Sequence, residues 1–180
     1  MSGDIPPSIR SLTSWSDREI DGLSAVLTDC VEGGASVSFL LPMTRAKAET
    51  FWRSALTGVS RQERAVLVAE ETDGTIFGTV TIILGQPENQ PHRAELAKML
   101  VHRRARGRGV GAALLIAAER TASRAGKRLL VLDTVSGSAG ERLYARHGWR
   151  RVGEIPNCAL WPDGRPCPTT IWYKVLPVGA

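Results

Sequence analysis

The stretch Arg106-Gly107-Arg108-Gly109-Val110-Gly111 lies where an extended run ends and a helical pattern begins, and its reading decides the fold. Upstream, residues 94–101 read as a strand running straight into this cluster of arginines and glycines. Downstream, Leu114, Leu115, Ala118 and Ala122 mark one helical face. Ala125-Gly126-Lys127 ends that helix before the short apolar strand Leu129-Leu130-Val131-Leu132-Asp133. The unit is β-loop-α-β. A helix that starts this way leaves amide hydrogens without intrahelical partners, and glycines put no side chain between them and an anion. The helix dipole adds about 0.3–1 kcal/mol for each charge near that end. The spacing therefore predicts a diphosphate site. Coenzyme A, with a diphosphate and a further phosphate, matches both the glycines and the nearby Arg103, Arg104, Arg106 and Arg108.

Outward from this unit, Ser16 and Glu19 form a capping box, followed by Ile20, Leu23, Leu27 and Val31 at helical spacing until Gly33 and Gly34. A second amphipathic segment covers residues 44–56, with Ala48, Phe51, Trp52 and Ala55 on one side and Gly58 just beyond its end. Two helices are thus expected to precede the sheet. Residues 65–69 and 76–84 read as a hairpin closed by Asp73-Gly74. Late in the chain, Ser138 and Glu141 form a second capping box, the helix carries Leu143 and Tyr144, and Gly148 stops it. Strands are expected near residues 150–153 and 169–175. Between them, the Pro-rich residues 155–168, with Trp161-Pro162-Asp163-Gly164 as a turn, read as a long loop of the kind that shapes binding sites.

At 180 residues, 43% hydrophobic and 23% charged, the chain is long enough for one core. It carries no repeat or linker, so a single α/β domain with a mixed sheet is expected over residues 1–180. Cys30, Cys158 and Cys167 form no Cys-x-x-Cys pair and lie apart from His92, His102 and His147, so neither a metal nor a disulfide scaffold is expected. Residues 1–7 show no basic region followed by an apolar stretch, and nowhere do about 18 apolar residues run together. The expectation is a soluble, cytoplasmic protein without a membrane partner, a monomer or a homodimer. The formal charge of +5 is concentrated in the arginine cluster. No aromatic residues are interleaved with that cluster to stack bases, which argues against a nucleic-acid partner.

The glycines have competing readings. They could form only a tight turn, with the arginines as a solvated face. Gly107-x-Gly109-x-x-Ala112 also fits a dinucleotide fingerprint, with Asp133 where a ribose-binding carboxylate would sit, which would make the chain a nicotinamide-dinucleotide oxidoreductase or sensor. Against this, a hairpin precedes the unit and too little chain follows it for a doubly wound sheet. A P-loop is excluded, because no Gly-Lys-Ser/Thr follows.

The chain resembles the GNAT superfamily of N-acetyltransferases. Arg106-x-x-Gly109-x-Gly111 is similar to that family's cofactor motif, and Leu143-Tyr144-x-x-x-Gly148-Trp149 to its later tyrosine motif. Residues 33–37, 95–101, 132–134, 162–165 and 168–169 resemble the tabtoxin-resistance branch of these enzymes. The resemblance implies an α/β (α+β) fold with a mixed, mostly antiparallel, V-shaped sheet of six to seven strands and about four flanking helices. It implies acetyl-CoA as cofactor, with its pantetheine arm bound along Met99, Leu100 and Val101. The diphosphate would then lie on the amides of Gly107, Arg108, Gly109, Val110, Gly111 and Ala112 beside Arg106. Tyr144 would protonate the departing thiolate. The implied activity is acetyl transfer to a small-molecule amine, with a tabtoxin-like β-lactam amino acid as the suggested acceptor.

An alkyl amine has a pKa of about 10.4 and must lose a proton before it attacks a thioester. Asp133 is the favoured acceptor of that proton and a candidate for holding the substrate, since partial burial at the end of an apolar strand would raise its pKa. Glu95 is the second candidate. Each has the alternative of a strand-end acid that meets solvent or pairs with an arginine. Tyr144 has the alternative of simple packing with its hydroxyl bonded. Trp52 and Trp172 read as core, Trp161 as the aromatic wall of an acceptor pocket, and His102 and His147 carry no assigned role. No cysteine is placed for a covalent intermediate, so direct transfer is expected.

Overall fold

The computed structural model describes residues 8–177. The leaderless reading of residues 1–7 lies outside them. Strand β1 (Ser8–Ser11) comes before the first helix, so the sheet starts earlier than expected. Its four residues are too few to carry a period. Pairing with β2 (Arg64–Glu70) holds it, as does Arg10, whose guanidinium bonds Glu70 on β2 and Glu19 on the first helix.

Helix α1 (Asp17–Glu32) has both halves of its capping box: the Ser16 hydroxyl accepts from the Arg18 amide, and Glu19 accepts from the Ser16 amide at 2.8 Å. Helix α2 (Arg45–Ser60) runs past the expected stop and takes Gly58 into its interior. There is a packing reason: a Cβ at Gly58 would lie 3.0 Å from Cδ of Arg64, so glycine lets the chain entering β2 lie close against the helix. Val59 continues the apolar face.

The remaining elements are β3 (Ile76–Ile83), β4 (Arg93–Val101), α3 (Val110–Arg124), β5 (Leu129–Val135), α4 (Ala139–Arg146), β6 (Arg150–Leu160) and β7 (Pro166–Val175). They form one seven-stranded sheet in the order β1-β2-β3-β4-β5-β7-β6. Helices cover both faces. Val66 and Val68 pack with α1 and α2, while Leu67 and Ala69 pack with α3, which is why residues 65–69 are apolar without alternation. Gly78 lets the start of α3 sit on the sheet, since a Cβ there would lie 3.1 Å from Val110 and Leu114 side chains.

Of the adjacent pairs only β4 and β5 are parallel, and they pair only at Arg93↔Leu129, Ala94↔Leu130 and Glu95↔Val131. Beyond Glu95, β4 stays with β3, and beyond Val131, β5 stays with β7. The sheet therefore opens as a V between residues 96–101 and 132–135. This mixed, mostly antiparallel sheet with four α-helices agrees with the expected fold class. A doubly wound sheet is mostly parallel, whereas among the described strands one pair of six is, which removes the topological basis of the dinucleotide reading.

The expected long loop at residues 155–168 is instead a hairpin. β6 and β7 pair from Arg150↔Tyr173 to Leu160↔Pro166, and only residues 161–165 form the turn. Pro156, Asn157 and Cys158 fall in a register irregularity between Ile155 and Ala159. β6 is an edge strand, where a residue without an N–H costs no ladder bond on the open side. Among the described residues, no helix is long and apolar enough to cross a membrane.

Candidate active site

At the mouth of the V, a short 3₁₀ turn (Arg103–Ala105) links β4 to the glycines, so the strand does not run directly into them. Gly107 and Gly109 have φ of 78° and 76°, the left-handed region that other residues adopt only with strain. A Cβ at either would meet nothing within 4 Å. Ala113 is the first α3 residue whose amide donates to a backbone carbonyl, that of Gly109 at 3.0 Å. The amides of Gly107, Gly109, Val110, Gly111 and Ala112 have no protein acceptor among the described residues. Gly111 serves packing: a Cβ would lie 3.3 Å from the Leu143 side chain, which joins α3 to α4.

The four arginines do not act together. Arg103 is tied to α1, where Asp29 accepts from its Nε at 2.9 Å and its amide at 2.8 Å. Arg108 faces Glu71 at 3.8 Å and lies over the Phe77 ring. Of the cluster, only Arg106 lines the cavity at the glycine turn, and α4 adds Arg146 to that wall.

That cavity has a volume of about 660 Å³ and runs from the glycine turn into the V, between Met99, Leu100 and Val101 on β4 and Thr134 and Val135 on β5. Its size is within the ordinary range for cofactor sites. Free amides and open glycines at one end and a strand-lined slot at the other fit a diphosphate with an extended arm. The Val101 carbonyl is partly engaged, accepting from Arg106 Nε at 3.2 Å and Cys30 Sγ at 3.5 Å. Cys30 lines this cavity, which spacing alone had not indicated; it is buried, and burial pushes its thiol pKa up.

A second cavity of about 370 Å³ opens on the other side of the sheet mouth. The two share Ser36, Val37, Met99, Thr134, Val135 and Tyr144. One wall of the smaller cavity is the connection from α1 to α2, fastened to the β6–β7 hairpin. There the Ser36 hydroxyl donates to the Leu160 carbonyl at 2.7 Å and the Leu41 amide to the Pro162 carbonyl at 2.9 Å. The smaller cavity is thus walled by that connection and a hairpin, in place of the long loop expected at residues 155–168. Asp133 and Lys98 supply its charged side chains.

Tyr144 stands where the cavities meet. The Ser138 hydroxyl accepts from the Glu141 amide to start α4, although Glu141 reaches back to the amide of Gly137 rather than to Ser138. The Tyr144 ring is 5% exposed and packs on Trp149 with centroids 5.7 Å apart. Gly140 leaves room for it, since a Cβ there would lie 3.4 Å from its Cε2 and 3.0 Å from Thr134 Oγ1. The Tyr144 hydroxyl bonds to no protein group among the described residues, unlike a tyrosine held by simple packing. Burial, aided by the Asp133 charge, holds its pKa well above the ordinary tyrosine value.

The remaining candidates are less concentrated than expected. Asp133 lines the smaller cavity but is exposed, so the burial anticipated for it is absent: β4 has already parted from β5 there, and their pairing stops at Glu95↔Val131. Glu95 is half-buried at the last β4–β5 pair and lines neither cavity, because the strands are still joined there. Trp161 lines the larger cavity rather than the smaller, since the hairpin turn carries it over the shared mouth. Trp52 and Trp172 are buried in the core. His102 caps the 3₁₀ turn beside Asp29, with Nδ1 3.6 Å from its carboxylate. Lys98, Ser38 and Arg146 carried no sequence signal; bulge and connection geometry places the first two.

The family model described as the acetyltransferase (GNAT) family matches residues 36–149, from the wall of the smaller cavity through Tyr144. An uncharacterized N-acetyltransferase from the hisH-hisA intergenic region of Azospirillum brasilense is 28% identical over 161 residues, covering 81% of this chain and 89% of its own. A ribosomal-protein-alanine N-acetyltransferase structure from Brucella melitensis is similar with a TM-score of 0.77 at 24% identity, over 94% of this chain and 99% of that one. A GNAT superfamily phosphinothricin acetyltransferase from Sinorhizobium meliloti, in complex with acetyl-CoA, gives 0.79 at 16% identity over 98% and 91%. With the free amides of the glycine turn, the splayed β4 and β5 and a match over most of its length, this chain belongs to the acetyltransferase (GNAT) family.

Proposed function

We propose that this acetyl-CoA-dependent N-acetyltransferase, taken as one domain, transfers acetyl directly to the amine of a small molecule. The observation that carries this reading is the junction of the two cavities at Tyr144, a buried residue whose hydroxyl has no protein partner among the described residues. The larger cavity suits the cofactor, with the amides of Gly107 and of Gly109 to Ala112, together with Arg106, toward the diphosphate. Met99 and Val101 lie along its arm. The smaller cavity then takes the acceptor.

Acetyl-CoA supplies the thioester carbonyl. Asp133, exposed on the wall of the smaller cavity, takes the proton that the ammonium must shed before the nitrogen bonds to that carbon. Tyr144, kept protonated by burial, gives its proton to sulfur as the carbon–sulfur bond breaks. Glu95, which lines neither cavity, is left to hold charge near Lys98 on the same strand. The likeness of residues 33–37, 132–134 and 162–165 to the tabtoxin-resistance branch supports a β-lactam amino acid as acceptor, and with it a role in resistance. Thiol release from acetyl-CoA, measured across tabtoxin-type amino acids, antibiotics and polyamines, tests this. Release with at least one small amine is expected; none with any of them, alongside acetylation of a peptide N-terminus, would overturn it.

A further inference from the structure

We propose that Lys98 binds a carboxylate of the acceptor, so that the smaller cavity selects amino acids and related amino-carboxylates over simple amines and diamines. This inference rests on the small-molecule reading above. Lys98 lies at a bulge in β4, where Thr79↔Leu100 and Thr81↔Ala97 leave an extra residue on that strand. Its φ is 50°, and that of Ser38, whose hydroxyl accepts from its Nζ at 3.0 Å, is 75°. Two bonded non-glycine residues in left-handed backbone are uncommon, and such strain gathers at binding sites.

The surroundings of the ammonium are incomplete for a structural lysine. Nζ lies over the rings of Phe39 at 5.9 Å and Phe51 at 5.6 Å, which stabilise a cation. No carboxylate is within 4 Å of it among the described residues. Ser38 uses one of its three N–H donors. Burial disfavours its charge, while Asp133 favours it from a distance. An arriving carboxylate would supply the missing partner at a half-buried position, where a pair counts for more than on an open surface.

The cavity also has the right polarity. Lys98 is on the β4 arm of the V and Asp133 on the β5 arm, so one volume of about 370 Å³ holds a positive and a negative wall. An acceptor with its carboxylate at Lys98 sets its ammonium toward Asp133, beside Thr134 and Tyr144 at the mouth shared with the larger cavity. A polyamine would instead place a second cation against Lys98, and this like charge discriminates against it.

The test compares amino acids with their own carboxamides and methyl esters in the thiol-release assay. Wild-type enzyme is expected to favour the acid roughly ten- to a hundred-fold in kcat/KM, mainly through KM. In Lys98→Met this ratio falls toward one. Ser38→Ala, which keeps the lysine, gives a smaller change in the same direction and serves should Lys98→Met fail to fold. Equal turnover of acid and amide by the wild type would overturn the proposal and leave the small-molecule reading intact. So would a Lys98→Met enzyme that loses kcat alike on both with a shifted pH profile, the mark of a proton acceptor. No thiol release with any small amine would sink the small-molecule reading, and this proposal with it.

Discussion

Asp29 on α1 grips Arg103 twice, accepting from its backbone amide at 2.8 Å and from its guanidinium Nε at 2.9 Å, just ahead of the glycine turn. Burial works against the Asp29 carboxylate, yet the Arg103 amide and guanidinium, with His102 nearby, outweigh it and hold its pKa below the ordinary range. Asp29→Asn is expected to cost about 1–3 kcal/mol in urea unfolding at pH 7. A depressed carboxyl stabilises the fold above its unfolded pKa of about 3.9 and loses that contribution as pH falls through the lower folded value. The difference between wild type and Asp29→Asn should therefore shrink below about pH 4. A constant difference down to pH 2 would show that the charge on Asp29 is not what holds Arg103.

Tyr144→Phe separates chemistry from folding. Since the hydroxyl has no protein partner among the described residues, its loss should change unfolding free energy by less than about 0.5 kcal/mol. Turnover should fall about 10²–10³-fold with acetyl-CoA affinity nearly unchanged. The raised pKa keeps the wild-type phenol protonated through ordinary tyrosine titration at about pH 10, so no activity loss from this group is expected below that pH. A variant that keeps full turnover would remove Tyr144 from the reaction.

Direct transfer excludes a stable acetyl-enzyme. Cys30 is the cysteine lining the larger cavity, and its burial keeps it a thiol rather than the reactive thiolate. Radiolabelled acetyl-CoA mixed with enzyme in the absence of acceptor should leave no label on the denatured protein. Label retained by the wild type and lost in Cys30→Ala would establish a covalent route instead.

Gly109 is open on the protein side, so a larger residue there meets strain and ligand rather than a clash with its own fold. Gly109→Val is expected to cost the free protein about 1–2 kcal/mol through its positive φ. The acetyl-CoA dissociation constant should rise at least about tenfold, measured by calorimetry on folded protein. If affinity is retained, the diphosphate does not approach this backbone.

Local signals hold where neighbouring residues decide: the Ser16–Glu19 box, the Asp73-Gly74 hairpin and the glycine turn all have the geometry their residues favour. The errors fall where tertiary contacts decide. β1 is too short to show a period and exists through pairing with β2. Pro156 and the other prolines around it suggested a loop, yet an edge strand with an irregular register accommodates them. Of the site, the glycine turn and Tyr144 were legible because each belongs to a compact motif. Lys98 was not, because a bulge in β4 turns it toward Ser38, and one-dimensional spacing contains no record of that turn. Asp133 lies on the expected strand, and the opening of the V removes the burial expected for it.

The account depends most on the unpaired amides at the start of α3 meeting the diphosphate. Titration of ¹⁵N-labelled protein with acetyl-CoA, with acetyl-pantetheine as the partner lacking the diphosphate, tests this directly. Acetyl-CoA should produce the largest amide shifts at Gly107, Gly109, Val110, Gly111 and Ala112, and acetyl-pantetheine should leave those signals nearly in place. Saturating acetyl-CoA that moves none of them, or the same shifts with both ligands, would contradict it.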